Sequence, residues 1–185
     1  MDEPAPAPPA PDASDLCTAC GMCCGGALFN SISLAPEDFM AAISVGLRVD
    51  SNPDDGICIA FPCSALDGAF CHVYEGRPEG CKDYRCETLT ALDRGDIALA
   101  EGLARVSAAV AQWRAAEAAI APETIPQYRS RRARALDTGG TALADDGARA
   151  ALNALDWELD RHFRRPRQRQ RDKYAAVEGR QPDAF

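Results

Sequence analysis

Large side chains are scarce in this chain. Aromatic residues make up 6% of its 185 residues, and alanine inflates the 46% apolar fraction. The core is therefore expected to be thin. No apolar run approaches the about 20 residues that a membrane-spanning helix requires. Met1-Asp2-Glu3-Pro4 is acidic where a secretory signal is basic, and no apolar signal core follows. A soluble, cytoplasmic protein is expected, with no membrane partner. Histidine occurs only twice. A histidine-based zinc hydrolase motif, a glycine-rich phosphate loop and a nucleophile elbow are all missing, so no catalytic residue is assigned. The net charge of −8 disfavours nucleic acid as a general partner. The charged fraction of 26% is ordinary for a globular chain and argues against wholesale disorder.

Cysteine is missing from the last 99 residues, yet nine lie between Cys17 and Cys86. Nine in 70 residues is about 13%, above the level of about 8–10% that marks a cysteine-built scaffold. An odd number cannot pair completely within one chain, and a reducing cytosol would not keep disulfides. Bare thiols at this density invite oxidation. Metal is the economical explanation, because a bound cation keeps thiolates deprotonated and occupied. Charge divides along the same line. Residues 1–100 hold 16 acids and 5 bases, and residues 101–185 hold 12 acids and 15 bases.

The expected fold is mostly α with irregular loops: a small cysteine-rich, metal-organised domain followed by an α-helical hairpin. Residues 1–14, rich in Pro, Ala and acid, are expected to be a disordered leader. The cysteine-cluster domain then spans 15–90, the helical region 91–165, and a basic, flexible tail 166–185. Cys17–Gly26 reads as loop. Residues 36–45 read as a helix with Pro36 in its first turn, an apolar face of Phe39, Met40 and Ile43, and Gly46 at its end. Asn52–Gly56 has turn chemistry. Residues 57–87 suggest loops with two short strands. The clearest helix is 96–120, capped by Asp96, with a stripe of Leu99, Leu103, Val106, Val110, Trp113 and Ile120 that suits packing within its own domain. Pro122 and Pro126 break it. A second helix over 142–163 carries Ala148, Leu152, Leu155, Leu159 and Phe163 on one face, and Pro166 marks its end or a kink.

The chemistry lies in two cysteine groups. The first is Cys17-x2-Cys20-x2-Cys23-Cys24, followed by Gly25 and Gly26. Two intervening residues let sulfurs turn onto one metal, and the glycines let backbone amides approach the sulfurs. The adjacent Cys23 and Cys24 diverge and seldom grip one ion together. The second group is Cys58, Cys63, Cys71, Cys81 and Cys86, spaced as in a loop-borne site. Zinc and iron–sulfur clusters both take four thiolates. Two four-thiolate sites, or a zinc pair sharing a bridging thiolate, would use eight or seven of the nine cysteines. All nine could hold three zincs with three bridges. Zinc is favoured over iron as the metal of an aerobically stable chelator.

The paired blocks Cys17-x2-Cys20-x2-Cys23-Cys24 and Cys71-x2-Tyr74-x2-Arg77-Pro78-x2-Cys81, with Pro62-Cys63 between them, resemble the YkgJ-type cysteine-cluster family, described as a zinc- or iron-chelating domain. The resemblance covers residues 17–86. It implies a metal site built from Cys17, Cys20, Cys23, Cys24, Cys63, Cys71 and Cys81, with Cys86 a frequent companion and Cys58 outside the pattern. A related arrangement in flagellin lysine methylases suggests an enzymatic alternative: an iron–sulfur redox protein or methyltransferase-like enzyme. A further alternative is an adaptor that binds a protein partner through the second-half helices or the arginine-rich tail.

Around the cysteines, Arg77 reads either as offsetting thiolate charge or as a surface ion pair, and Tyr74 either as excluding water from the site or as a core aromatic. His72 reads as a solvent-facing turn residue and His162 as a helix residue without a ligand role. The arginine runs, Arg129, Arg131, Arg132 and Arg134 and then Arg164 to Lys173, read as solvated faces or as partners of the acidic first half.

Overall fold

A computed structural model of the chain describes residues 13–52, 55–137 and 145–170. Most of the expected leader and the basic tail beyond residue 170 lie outside them. Among the described residues the chain is mostly α-helical, with small sheets and irregular loops, and the cysteine-rich part precedes the long helices.

Cys17 and Cys20 are not in a loop but on helix α1, Ala13–Cys20, and turns begin only at Gly21. A buried apolar residue explains the helix. Leu16 is 2% exposed and packs against Gly102 of the long helix α5, Leu99–Ile120. A Cβ at Gly102 would lie 2.9 Å from the Leu16 Cδ1, so the missing side chain makes the close approach of α1 possible.

The middle of the chain is a small β-region. Strands β1 (Ser31–Ser33), β2 (Val49–Asn52) and β3 (Gly56–Ala60) form an antiparallel sheet in the order β1-β3-β2. Ile59 of the central strand pairs with Ile32 on one side and Val49 on the other. With side chains alternating between faces, these three meet a small core containing Leu34, Ala42, Leu47, Phe61 and Ala65. Between β1 and β2, a 3-10 turn at Pro36–Asp38 leads into α2, Phe39–Ser44, which ends at Gly46 with φ +79°. The expected apolar face of this helix is corrected. Met40 and Ile43 are exposed, and Ala42 is the buried residue. A two-residue pairing of β4 (Leu66–Asp67) with β5 (Phe70–Cys71), then α3 (Glu79–Asp83) and α4 (Glu87–Asp93), completes this part.

Helix α5 begins at Leu99, where its stripe begins, and not at the expected residue 96. Ala98 occupies the N-cap without a side-chain bond. Asp96 does not cap it, because its amide closes the turn after α4 onto the Ala91 carbonyl at 2.9 Å, next to Gly95 at φ +75°. The stripe itself packs inward as expected, with Val106 and Ile120 buried and Leu99, Leu103, Val110 and Trp113 half-buried against the main core. Helix α7, Asp146–His162, is capped by Asp145, whose Oδ1 accepts the Ala148 amide at 3.0 Å. The first residues expected of it, 142–144, lie outside the described ones. Its expected face is fully buried. At about 2 kcal/mol for each buried leucine, this face is a main source of cohesion. Thr88 lies against Gly102 near the start of α5 and donates to the His162 carbonyl at the end of α7, so the two helices run antiparallel.

The expected hairpin has an unexpected third member. Helix α6, Ile125–Asp137, lies between the two in sequence. Pro126 does not end structure here but sits in the first turn of α6, where a missing N–H is harmless. Besides Pro126, the buried positions of α6 are Ile125, Tyr128, Arg129 and Arg132, spaced as one helical face. Two of the four are arginines, which hid the face in a hydrophobicity pattern.

Candidate metal centre

The turn that follows α1 is held by its own backbone. Gly25 donates to the Gly21 carbonyl at 2.8 Å, and Ala27 and Leu28 donate to Met22 at 3.0 and 3.2 Å. Gly25 is required by packing, since a Cβ there would meet the Trp113 ring of α5 at 2.2 Å. Gly26 is required by its φ of +87°, and Pro126 lies beside it. The side chains of two buried arginines grip the next peptides. Arg129 of α6 donates from Nη1 to the Ala27 carbonyl at 2.8 Å, and Arg164 donates from Nη2 to the same oxygen at 3.3 Å. Their charges are met by Asp156, 2.5 Å from Arg129 and 2.8 Å from Arg164, and by Asp160, 2.9 Å from Arg164. All four side chains are buried. This corrects the expectation of a solvated face for Arg129, Arg132 and Arg164, whereas Arg134, Arg165 and Arg167 are exposed as expected. Arg129 and Arg164 are interior residues that tie α6 and α7 to the cysteine turn.

The cysteines occupy two neighbourhoods. Cys20, Cys23 and Cys86 pack at the edge of the main core. Burial pushes the Cys20 thiol up to about 12, and Cys86, Cys17 and Cys24 add to the rise. Cys23 is also pushed well up by burial, with Cys20 and Cys86 as its nearest electrostatic neighbours. Cys86 reaches this group because the start of α4 is stitched to the end of α7. Glu87 donates to the Phe163 carbonyl at 3.0 Å, and the Thr88 hydroxyl donates to the His162 carbonyl at 2.5 Å. Cys63, Cys71 and Cys81 pack instead on the β-region core. Cys24 belongs electrostatically with them: burial raises it to about 12, and Cys63, Cys81 and Cys71 contribute next. Cys81 is raised to about 11 by burial, then by Cys63 and Cys71.

Backbone amides do reach sulfur, but not those of Gly25 and Gly26. Met22 donates to Cys20, Ala65 to Cys63, and Thr88 and Leu89 to Cys86; the Leu89 bond is 3.4 Å. In each case a donor lies two residues beyond the cysteine. Such donors favour the thiolate.

The remaining residues sort cleanly. Cys58 is buried mid-strand between Ser33 and Asp50, accepts from Asn52 Nδ2 at 3.3 Å, and has Asp55 and Asp50 rather than thiols as its charged neighbours. Arg77 acts on Cys17, Cys24 and Cys81 and so serves both neighbourhoods. Its Nε donates to the Tyr74 carbonyl at 2.9 Å, and its guanidinium lies 3.6 Å from the Tyr74 ring centre. Tyr74 is exposed and supports Arg77 rather than sealing a site. The aromatic beside the sulfurs is Tyr84, which packs edge-on to Phe29 at 4.7 Å and is raised by burial and by Cys23 and Cys86. Nothing in its sequence position marked it. His72 is exposed, 3.7 Å from Asp67, and His162 pairs with Glu158 at 3.9 Å.

All nine cysteines are free thiols. Among the described residues no three His, Cys, Asp or Glu side chains already form a cage around one ion. The thiols are gathered but not closed. As a donor set they fit zinc or iron: soft sulfur ligands, amide donors at three of them, and arginines nearby.

Residues 16–99 match the family model CxxCxxCC, described as a "putative zinc- or iron-chelating domain". This is the chelating-domain family that the paired cysteine blocks resemble. The match stops where α5 begins, so α5, α6 and α7 lie beyond it. No curated protein and no solved structure matches the chain. Among the described residues no helix is long and apolar enough to cross a membrane.

Proposed function

We propose that this protein holds zinc or iron through thiolates of Cys17, Cys20, Cys23, Cys24, Cys63, Cys71, Cys81 and Cys86. The observation that supports it best is the company these eight cysteines keep. Each of them lies in the field of at least one other thiol, and no disulfide occupies any of them. Cys58 is left out, as the family pattern leaves it out.

A bound zinc or iron supplies a cross-link between segments too poor in apolar residues to hold each other firmly. The chain's own residues do the rest. The Met22, Ala65 and Thr88 amides favour ionised sulfur, Arg77 and Arg85 balance thiolate charge at Cys17, and Arg129 and Arg164 fix the Cys23–Ala27 turn. An iron–sulfur centre would use the same thiolates. Absorption and metal analysis of the full chain, purified without oxygen, test the reading and separate the metals. Stoichiometric zinc in a colourless protein supports a zinc chelator, and a brown protein with sulfide and iron supports an iron–sulfur centre. Metal-free protein that takes up neither ion contradicts both.

A further inference from the structure

We infer that the chain carries two separate four-thiolate centres rather than one pooled cluster, one formed by Cys17, Cys20, Cys23 and Cys86 and the other by Cys24, Cys63, Cys71 and Cys81. The assignment rests on the chelating role proposed above and adds the number of sites and the ligands of each.

Three features each divide some of the eight sulfurs, and their divisions agree. The first is packing. Cys20, Cys23 and Cys86 border the main helical core, whereas Cys63, Cys71 and Cys81 border the β-region core. The second is the backbone. Cys17 and Cys20 lie one turn apart on α1, which contacts α4, and Cys86 is the N-cap residue of α4. Cys24 is tied to the other side, since its carbonyl accepts the Cys63 amide at 2.8 Å. The third is the adjacent pair. Side chains of neighbouring residues diverge: Cys23 packs against the main core, while Cys24 is tied through its backbone carbonyl to Cys63 on the β-region side. The Cys23–Cys24 peptide is thus the junction between the centres.

Charge supports two full sets of four. A divalent ion held by four thiolates carries a net charge of about −2, and each neighbourhood has cations to offset it. Arg85 and Arg77 act on Cys17, Arg77 on Cys24 and Cys81, and Arg48 on Cys63. Four thiolates closed on one ion would leave no open position for substrate.

Native mass spectrometry of the full-length chain loaded with zinc tests this. Two zinc ions are expected in the wild type and in C58S, and one each in C17S/C86S and C63S/C81S. One ion or more than two in the wild type overturns the assignment, as does loss of both ions from either double variant; chelation itself would still stand. A wild-type chain that takes up neither zinc nor cadmium overturns chelation. Should a double variant fail to fold, cadmium-113 NMR of the loaded wild type decides. Two uncoupled resonances support two centres, whereas a single resonance or a metal–metal coupling through a bridging sulfur overturns them.

Discussion

The backbone amide of Cys63 donates to the carbonyl of Cys24 at 2.8 Å. This bond spans almost forty residues and joins the two cysteine stretches without using a sulfur atom. It lies where the arginine-clamped turn meets the β-region. The two sides differ in how they are held. The turn is fixed by Arg129, Arg164 and the main core, whereas the β-region rests on a small core of its own.

Removal of metal should therefore act unevenly. In hydrogen exchange followed by mass spectrometry, a strong chelator is expected to release protection over residues 57–83 first and leave α5 and α7 largely protected. Equal loss of protection in α5 and α7 would show that the helices depend on metal as much as the β-region does.

The buried ion cluster predicts an acid response. Burial alone would raise Asp156, but Arg129 and Arg164 outweigh it and hold the carboxyl below its usual range. A carboxylate depressed in the folded state stabilises above its unfolded pKa of about 3.9, and that stability is lost as pH falls through the folded value. Asp156→Ala, which leaves two guanidiniums short of a buried partner, is expected to cost about 3–5 kcal/mol at pH 7. Its denaturation midpoint should also vary less with pH between about 4 and 2 than that of the wild type. An unchanged midpoint at pH 7 would contradict the clamp.

Gly25 and Trp113 should be energetically coupled. The φ of Gly25 lies outside the left-handed region, so Gly25→Ala tests space alone. Overpacking of this kind costs about 1–3 kcal/mol. Trp113→Leu removes the ring atoms in the way, so the double variant should lose less than the sum of the single losses. Strict additivity in a double-mutant cycle would contradict the contact.

Metal uptake should release protons. Burial holds Cys20 and Cys24 at about 12 and Cys81 at about 11, so these thiols are protonated at neutral pH and must ionise to bind. Zinc affinity is expected to fall steadily as pH falls from 8 to 6, and calorimetry in buffers of different ionisation enthalpy should register the released protons. A pH-independent affinity would exclude these thiols as ligands.

The sequence made some of this legible and hid the rest for definable reasons. The stripes of α5 and α7 follow helical spacing with large apolar residues, so both elements were readable. The start of α5 was not, because Asp96 resembles a cap and is used in a preceding turn. Helix α6 was hidden because its buried face includes Arg129 and Arg132, whose interior role depends on carbonyls and carboxylates distant in sequence. The cysteine blocks announced thiolate chemistry and set Cys58 apart. The grouping of Cys86 with the first block was not legible, because it depends on the stitching of α4 to Phe163 and His162. The sheet strands β1 and β2 carry too few apolar residues to show an alternation.

X-ray absorption at the metal edge of the purified, metal-loaded chain addresses the central claim most directly. The account predicts a first shell of about four sulfur atoms per ion, at about 2.3 Å for zinc. A shell dominated by nitrogen or oxygen would mean that the cysteines are not what holds the metal.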